Sequence, residues 1–176
     1  MSEPDLSTVP TEPVDLGRLR RARWGRRSFF TLMCAFLLAG LLGALGVRTA
    51  NVSTTGAGYE LTVHYAQVTR GGLATPWSVV VRHRGGFPTD EVTLATTAAY
   101  FDVFDENGLD PEPAGSVSDG ARIIWTFPAP AGDTLSVSFD ARSEPAVQFE
   151  RARATTQLLE NDVAVAAVHY DTYVLP

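Results

Sequence analysis

Residues 59–66, Tyr59-Glu60-Leu61-Thr62-Val63-His64-Tyr65-Ala66, carry the reading that decides the fold class. Tyr59, Leu61, Val63 and Tyr65 alternate with Glu60, Thr62, His64 and Ala66, so the two sets fall on opposite faces of an extended chain. The same period returns at Trp77, Val79, Val81 and His83, and again at Leu135, Val137, Phe139 and Ala141. Val92–Leu94, Tyr100–Phe104, Ile123–Phe127 and Val163–Tyr170 are denser apolar runs, the pattern of strands with one or both faces buried. Turn-forming clusters separate them: Arg70-Gly71-Gly72, Gly85-Gly86-Phe87-Pro88, Asp105-Glu106-Asn107-Gly108, Ser118-Asp119-Gly120, Pro128–Asp133 and Glu160-Asn161-Asp162. No longer apolar stripe of helical period follows residue 58. Residues 59–176 are therefore expected to form an all-β domain, an antiparallel β-sandwich first and a barrel second.

The stretch Trp77–Phe139, with the strand DTLSVSFDAR at 133–142 after a Pro-Gly turn, resembles immunoglobulin-like β-sandwich modules of bacterial cell surfaces. The similarity is to the short adhesion-type and conserved-repeat domains of exported proteins. It implies an immunoglobulin-like sandwich but transfers no functional residue, since such sandwiches serve many ends. The paired cysteines of antibody-type domains are missing, for Cys34 is the single cysteine and lies outside the stretch.

Working outward to the N-terminal side, Ser28–Val47 (SFFTLMCAFLLAGLLGALGV) holds no charge over twenty residues, enough for a transmembrane α-helix. Six arginines precede it (Arg18, Arg20, Arg21, Arg23, Arg26 and Arg27) and one, Arg48, follows. By the positive-inside rule this predicts a single-pass protein, N-terminus in the cytoplasm and β-domain outside the cell membrane, with the arginines setting topology and touching lipid. Ala35, Ala39 and Gly43 recur every fourth residue as a candidate surface for helix packing in the membrane. A cleaved signal peptide is the alternative, and Ala44-Leu45-Gly46 offers a cleavage site. Cys34 reads as a buried membrane thiol. Residues 1–27 are expected as a disordered cytoplasmic tail ending in the arginine block, and 48–58 as a polar linker. The absence of lysine beside fourteen arginines suggests a GC-rich bacterial genome.

Catalytic and metal chemistry find little purchase. His64, His83 and His169 sit in separate strand patterns, without a Gly-x-Ser-x-Gly elbow or a spacing that would focus a metal. Asp102, Asp105, Asn107 and Asp110 are the calcium candidates, although an EF-hand alignment of this stretch lacks two ligands. Residues 49–176 carry sixteen acids against seven arginines, which argues against nucleic acid as a partner. No cofactor is expected. Tyr59, Tyr65, Tyr100, Tyr170 and Tyr173 are candidate recognition aromatics, since tyrosine joins apolar area to a hydrogen-bonding tip. The expected function is a non-enzymatic, membrane-anchored binding or scaffolding accessory with a membrane or cell-envelope protein partner. A cell-wall or carbohydrate-binding module is the alternative, and a calcium-binding or catalytic domain stands third.

Overall fold

The computed structural model describes residues 16–41, 43 and 46–176. They fall in two units, the first ending at Ala44 and the second running from Leu45 to Pro176. Residues 1–15 of the expected tail, and Ala44 and Leu45 of the expected cleavage site, lie outside the described residues.

The first unit holds one helix, α1 (Leu16–Leu41), and it corrects the reading of the N-terminal part. No helix among the described residues is long and apolar enough to cross a membrane. The helix takes in the whole arginine block, and its uncharged portion, Ser28–Leu41, is fourteen residues. At 1.5 Å per residue that covers about 21 Å, against a hydrocarbon core of roughly 30 Å. The transmembrane helix over 28–47 is thus not supported, and the single-pass topology, membrane localisation and extracytoplasmic placement fall with it. Residues 16–27 are helical, and Arg20, Arg21, Arg23, Arg26 and Arg27 are exposed on α1. Their assigned work of setting topology loses its basis. Gly43 stands beyond the helix at φ +70°, its N–H donating to the Gly40 carbonyl at 3.0 Å. Ala35, Ala39 and Gly43 therefore do not make one helix face, and Cys34 is exposed.

The second unit is built from ten strands: β1 (Arg48–Gly56), β2 (Tyr59–Arg70), β3 (Ala74–His83), β4 (Glu91–Thr97), β5 (Phe104–Asp110), β6 (Gly115–Ser118), β7 (Arg122–Pro128), β8 (Thr134–Ser143), β9 (Glu150–Glu160) and β10 (Val163–Leu175). They follow one hydrogen-bonded path, β5-β8-β3-β2-β10-β9-β4-β7-β6, with β1 added on β2. The all-β expectation holds. Two separate antiparallel sheets do not form, because β2 and β10 pair in parallel at Val68–Tyr173, Thr69–Val174 and Arg70–Leu175 and join the halves into one curled sheet.

Alternation sets which face is inside. On β8, Leu135, Val137, Phe139 and Ala141 are buried while Ser136, Ser138 and Asp140 are exposed. On β2 and β3, Leu61, Val63, Trp77, Val79 and Val81 join the same core. Each fully buried Val or Leu contributes about 1.5–3 kcal/mol relative to exposure, so the ladder of inward residues holds the register.

Several local expectations are corrected. The linker 48–58 is strand β1, whose Thr49, Val52, Thr54 and Thr55 are β-branched, and it closes on β2 through Ala57 (φ 49°) and Gly58 (φ 86°). Tyr100–Val103 is not strand but part of a 3₁₀ helix, Ala98–Val103. Side chains three apart share a side of a 3₁₀ helix, so Tyr100 and Val103 are buried together, with Phe101 buried beside them and Asp102 exposed. The Asn107-Gly108 turn is a bulge within β5, where the register against β8 slips between Glu106 and Leu109 and Gly108 takes φ 96°.

Candidate binding groove

The aromatic residues gather in one place. Phe101, delivered by the 3₁₀ helix, meets Trp77, Trp125 and Phe139 at ring-centroid distances of 5.4, 5.5 and 5.2 Å with planes crossing at 79°, 79° and 84°. Such edge-to-face contacts set the positive rim of one ring against the negative face of the next. Behind the cluster, Trp77 Nε1 donates to Tyr170 Oη at 2.7 Å, and Tyr170 Oη lies 3.0 Å from Thr156 Oγ1. Thr156 continues to Thr96 at 3.1 Å. Tyr100 Oη reaches Thr172 Oγ1 at 2.9 Å, and Thr172 donates to the Ala66 carbonyl at 2.6 Å. These hydroxyls are buried, and among the described residues no buried side-chain polar atom lacks a partner. Burial pushes the Tyr100 and Tyr170 hydroxyls well above the ordinary tyrosine range, so both are neutral donors at physiological pH.

On the outer side of this cluster the sheet leaves a gap. Among the described residues β5 pairs only with β8 and β6 only with β7, so these strands are the two free ends of the path. Curling brings the ends to one groove of about 380 Å³. Its floor is Phe101, Trp125 and Phe139, and its sides are Gly108 and Leu109 of β5 and Ser116 and Ile123 of the β6–β7 hairpin. Glu112 and Pro113 of the connecting segment complete the lining.

The segment that walls the groove is acidic, and its nearest basic neighbour in register is Arg142 of β8, which stands across from Asp105. Residues 102–121 hold six acids (Asp102, Asp105, Glu106, Asp110, Glu112 and Asp119) and no arginine. Asp119 is engaged locally: it accepts from the Arg122 and Ala121 backbone N–H groups at 2.6 and 3.0 Å, and its other oxygen bonds the Arg122 side chain at 3.0 Å. The Arg122 backbone bond first, then its guanidinium, hold the Asp119 carboxyl below the usual carboxylate range. Among the described residues, Asp102, Asp105, Asp110 and Glu112 have no arginine within ion-pair distance.

The sites read from the sequence are dispersed. Asp102 is exposed on the 3₁₀ helix, Asp105 and Asp110 are exposed on β5, and the Asn107 side chain lies outside the described residues. Among the described residues no group of three or more His, Cys, Asp or Glu side chains is gathered for a metal. His64 Nδ1 lies 2.6 Å from Asn51 Oδ1, His83 Nδ1 lies 2.6 Å from the Gly86 carbonyl, and His169 Nδ1 lies 2.8 Å from Thr155. Each imidazole is held by a different partner. Of the recognition tyrosines, Tyr59, Tyr100 and Tyr170 are buried and Tyr65 stacks half-buried on Tyr170 at 4.7 Å. Only Tyr173 has substantial surface, and the Arg151 guanidinium sits 5.3 Å from its ring centroid.

The groove residues Phe101, Leu109, Ile123 and Phe139 were absent from the sequence-derived site. Their one local signal is an arginine-free acidic stretch, 102–121, between the apolar runs Tyr100–Phe104 and Ile123–Phe127. No protein-family model matches the chain, and no curated protein matches it.

Proposed function

We propose that the β-domain is a non-enzymatic binding module that takes an extended segment of a partner protein into the groove between β5 and β6. The observation that carries this reading is an apolar floor lying between two strands whose outer edges have no strand partner among the described residues. Unpaired strand edges offer a row of N–H and C=O groups, the basis of recognition by strand addition. The floor rings cross at steep angles and are nearly buried, so they offer a sugar no flat stacking face, which favours a peptide over a glycan. Random-peptide display against the full-length protein tests the proposal, with selected peptides mapped by amide chemical shifts. Shifts confined to β5, β6 and the segment between them are expected. Binders that map elsewhere, or the same binders retained by a Leu109→Arg variant, would refute it.

A further inference from the structure

We infer that the segment accepted by the groove is a basic β-strand that pairs with the free edge of β5, its apolar side chains facing inward and its arginines or lysines outward. This rests on the groove being the binding site. Along β5 the burial alternates: Phe104 is buried and Asp105 exposed, then, past the bulge, Leu109 is half-buried and Asp110 exposed. A strand added beside β5 shares its pleat, so one set of its side chains falls over Phe101, Leu109 and Phe139, and the other stands beside Asp105, whose β8 partner is Arg142, and Asp110, whose β8 partner is the uncharged Ser138. Glu112, in the groove wall, adds a third carboxylate. Opposite charges directly across a strand pair are favourable and like charges unfavourable. The same carboxylates oppose the pairing of β5 with β5 of a second copy, which leaves a basic strand as the complementary occupant. β6 is four residues long and carries no charge, so it contributes a wall and little selectivity.

The test uses three synthetic peptides titrated into the full-length chain: alternating valine and arginine, alternating valine and threonine, and alternating valine and glutamate. Binding is read by fluorescence anisotropy at low and high ionic strength, and location by amide shifts. The valine–arginine peptide is expected to bind most tightly, to shift β5 amides, and to weaken with salt. Asp110→Asn and Glu112→Gln should each weaken it about two- to five-fold, the range of an exposed ion pair. Equal binding of the arginine and threonine peptides, insensitive to salt and to both variants, would overturn the charge inference and leave the groove reading standing. Binding of the arginine peptide with shifts outside β5 would overturn it as well. If no peptide binds or moves β5 and β6 amides, the groove reading fails along with it.

Discussion

Removing one hydroxyl tests whether the buried network braces the core beneath the groove. In Tyr170→Phe the ring remains, but Trp77 Nε1 loses the acceptor it reaches at 2.7 Å. Trp77 is 3% exposed, so water cannot replace that partner without the packing opening. A buried donor left unsatisfied costs about 1–3 kcal/mol. Thr156 loses its 3.0 Å contact but keeps Thr96, so its share is small. The expected loss is about 2 kcal/mol, a fall in Tm of roughly 6–10 °C for a domain of this size. Urea and thermal unfolding of the full chain, followed by near-ultraviolet circular dichroism, measure it. Tyr65→Phe is the control: this half-buried ring stacks on Tyr170, and no hydrogen bond of its hydroxyl appears among the described residues, so it should cost under about 0.5 kcal/mol. Equal effects of the two substitutions would show that the Trp77–Tyr170 bond contributes nothing, and the reasoning would fail.

Gly56 packs so closely on β10 that an added Cβ would overlap the Val165 carbonyl oxygen; Gly56→Ala should therefore destabilise by about 1–3 kcal/mol in chemical unfolding. Phe149 is 81% exposed at φ 57°, a conformation that strains any residue with a Cβ. Phe149→Gly should raise stability by up to about 1 kcal/mol in the same assay, and a loss would mean the ring packs against something. Burial raises the folded-state pKa values of Tyr100 and Tyr170 above the unfolded value of about 10. Their contribution is then full below about pH 10 and is lost as pH climbs toward the folded values. Unfolding midpoints measured from neutral to alkaline pH should fall only beyond that point, with the tyrosinate absorbance of these two residues rising as the protein unfolds.

The β character was legible wherever apolar and polar residues alternate strictly, as at Leu61–Tyr65 and Leu135–Ala141, because burial of one face leaves a period of two in the composition. It was illegible where small residues face inward. Ala152, Ala154, Thr156 and Leu158 are the buried set of β9, and of these only the leucine signals a core. β6, Gly115-Ser116-Val117-Ser118, has no buried position to betray it. The apolar run at 28–47 misled for a different reason. Hydropathy measures side chains, whereas spanning also requires those residues to be helical, and α1 (Leu16–Leu41) takes in the arginine block and only fourteen of the uncharged residues. The groove leaves no mark in the sequence because it is a property of strand pairing. Leu109 and Ile123 become neighbours only when the two ends of a curled sheet meet, and no local pattern records that.

The parallel seam between β2 and β10 also sets the order in which this domain can assemble. The bonds that lock it span great lengths of chain: Thr172 to Ala66 across 106 residues, Trp77 to Tyr170 across 93 and Tyr100 to Thr172 across 72. Hairpins such as β1–β2, closed by a two-residue turn, can form as soon as they leave the ribosome. The core cannot, since its hydroxyl column waits for residues 170–172. Closing loops of that length before the contacts reward it makes folding slow, and through that interval both halves of the sheet expose the edges that β2 and β10 later hide from each other.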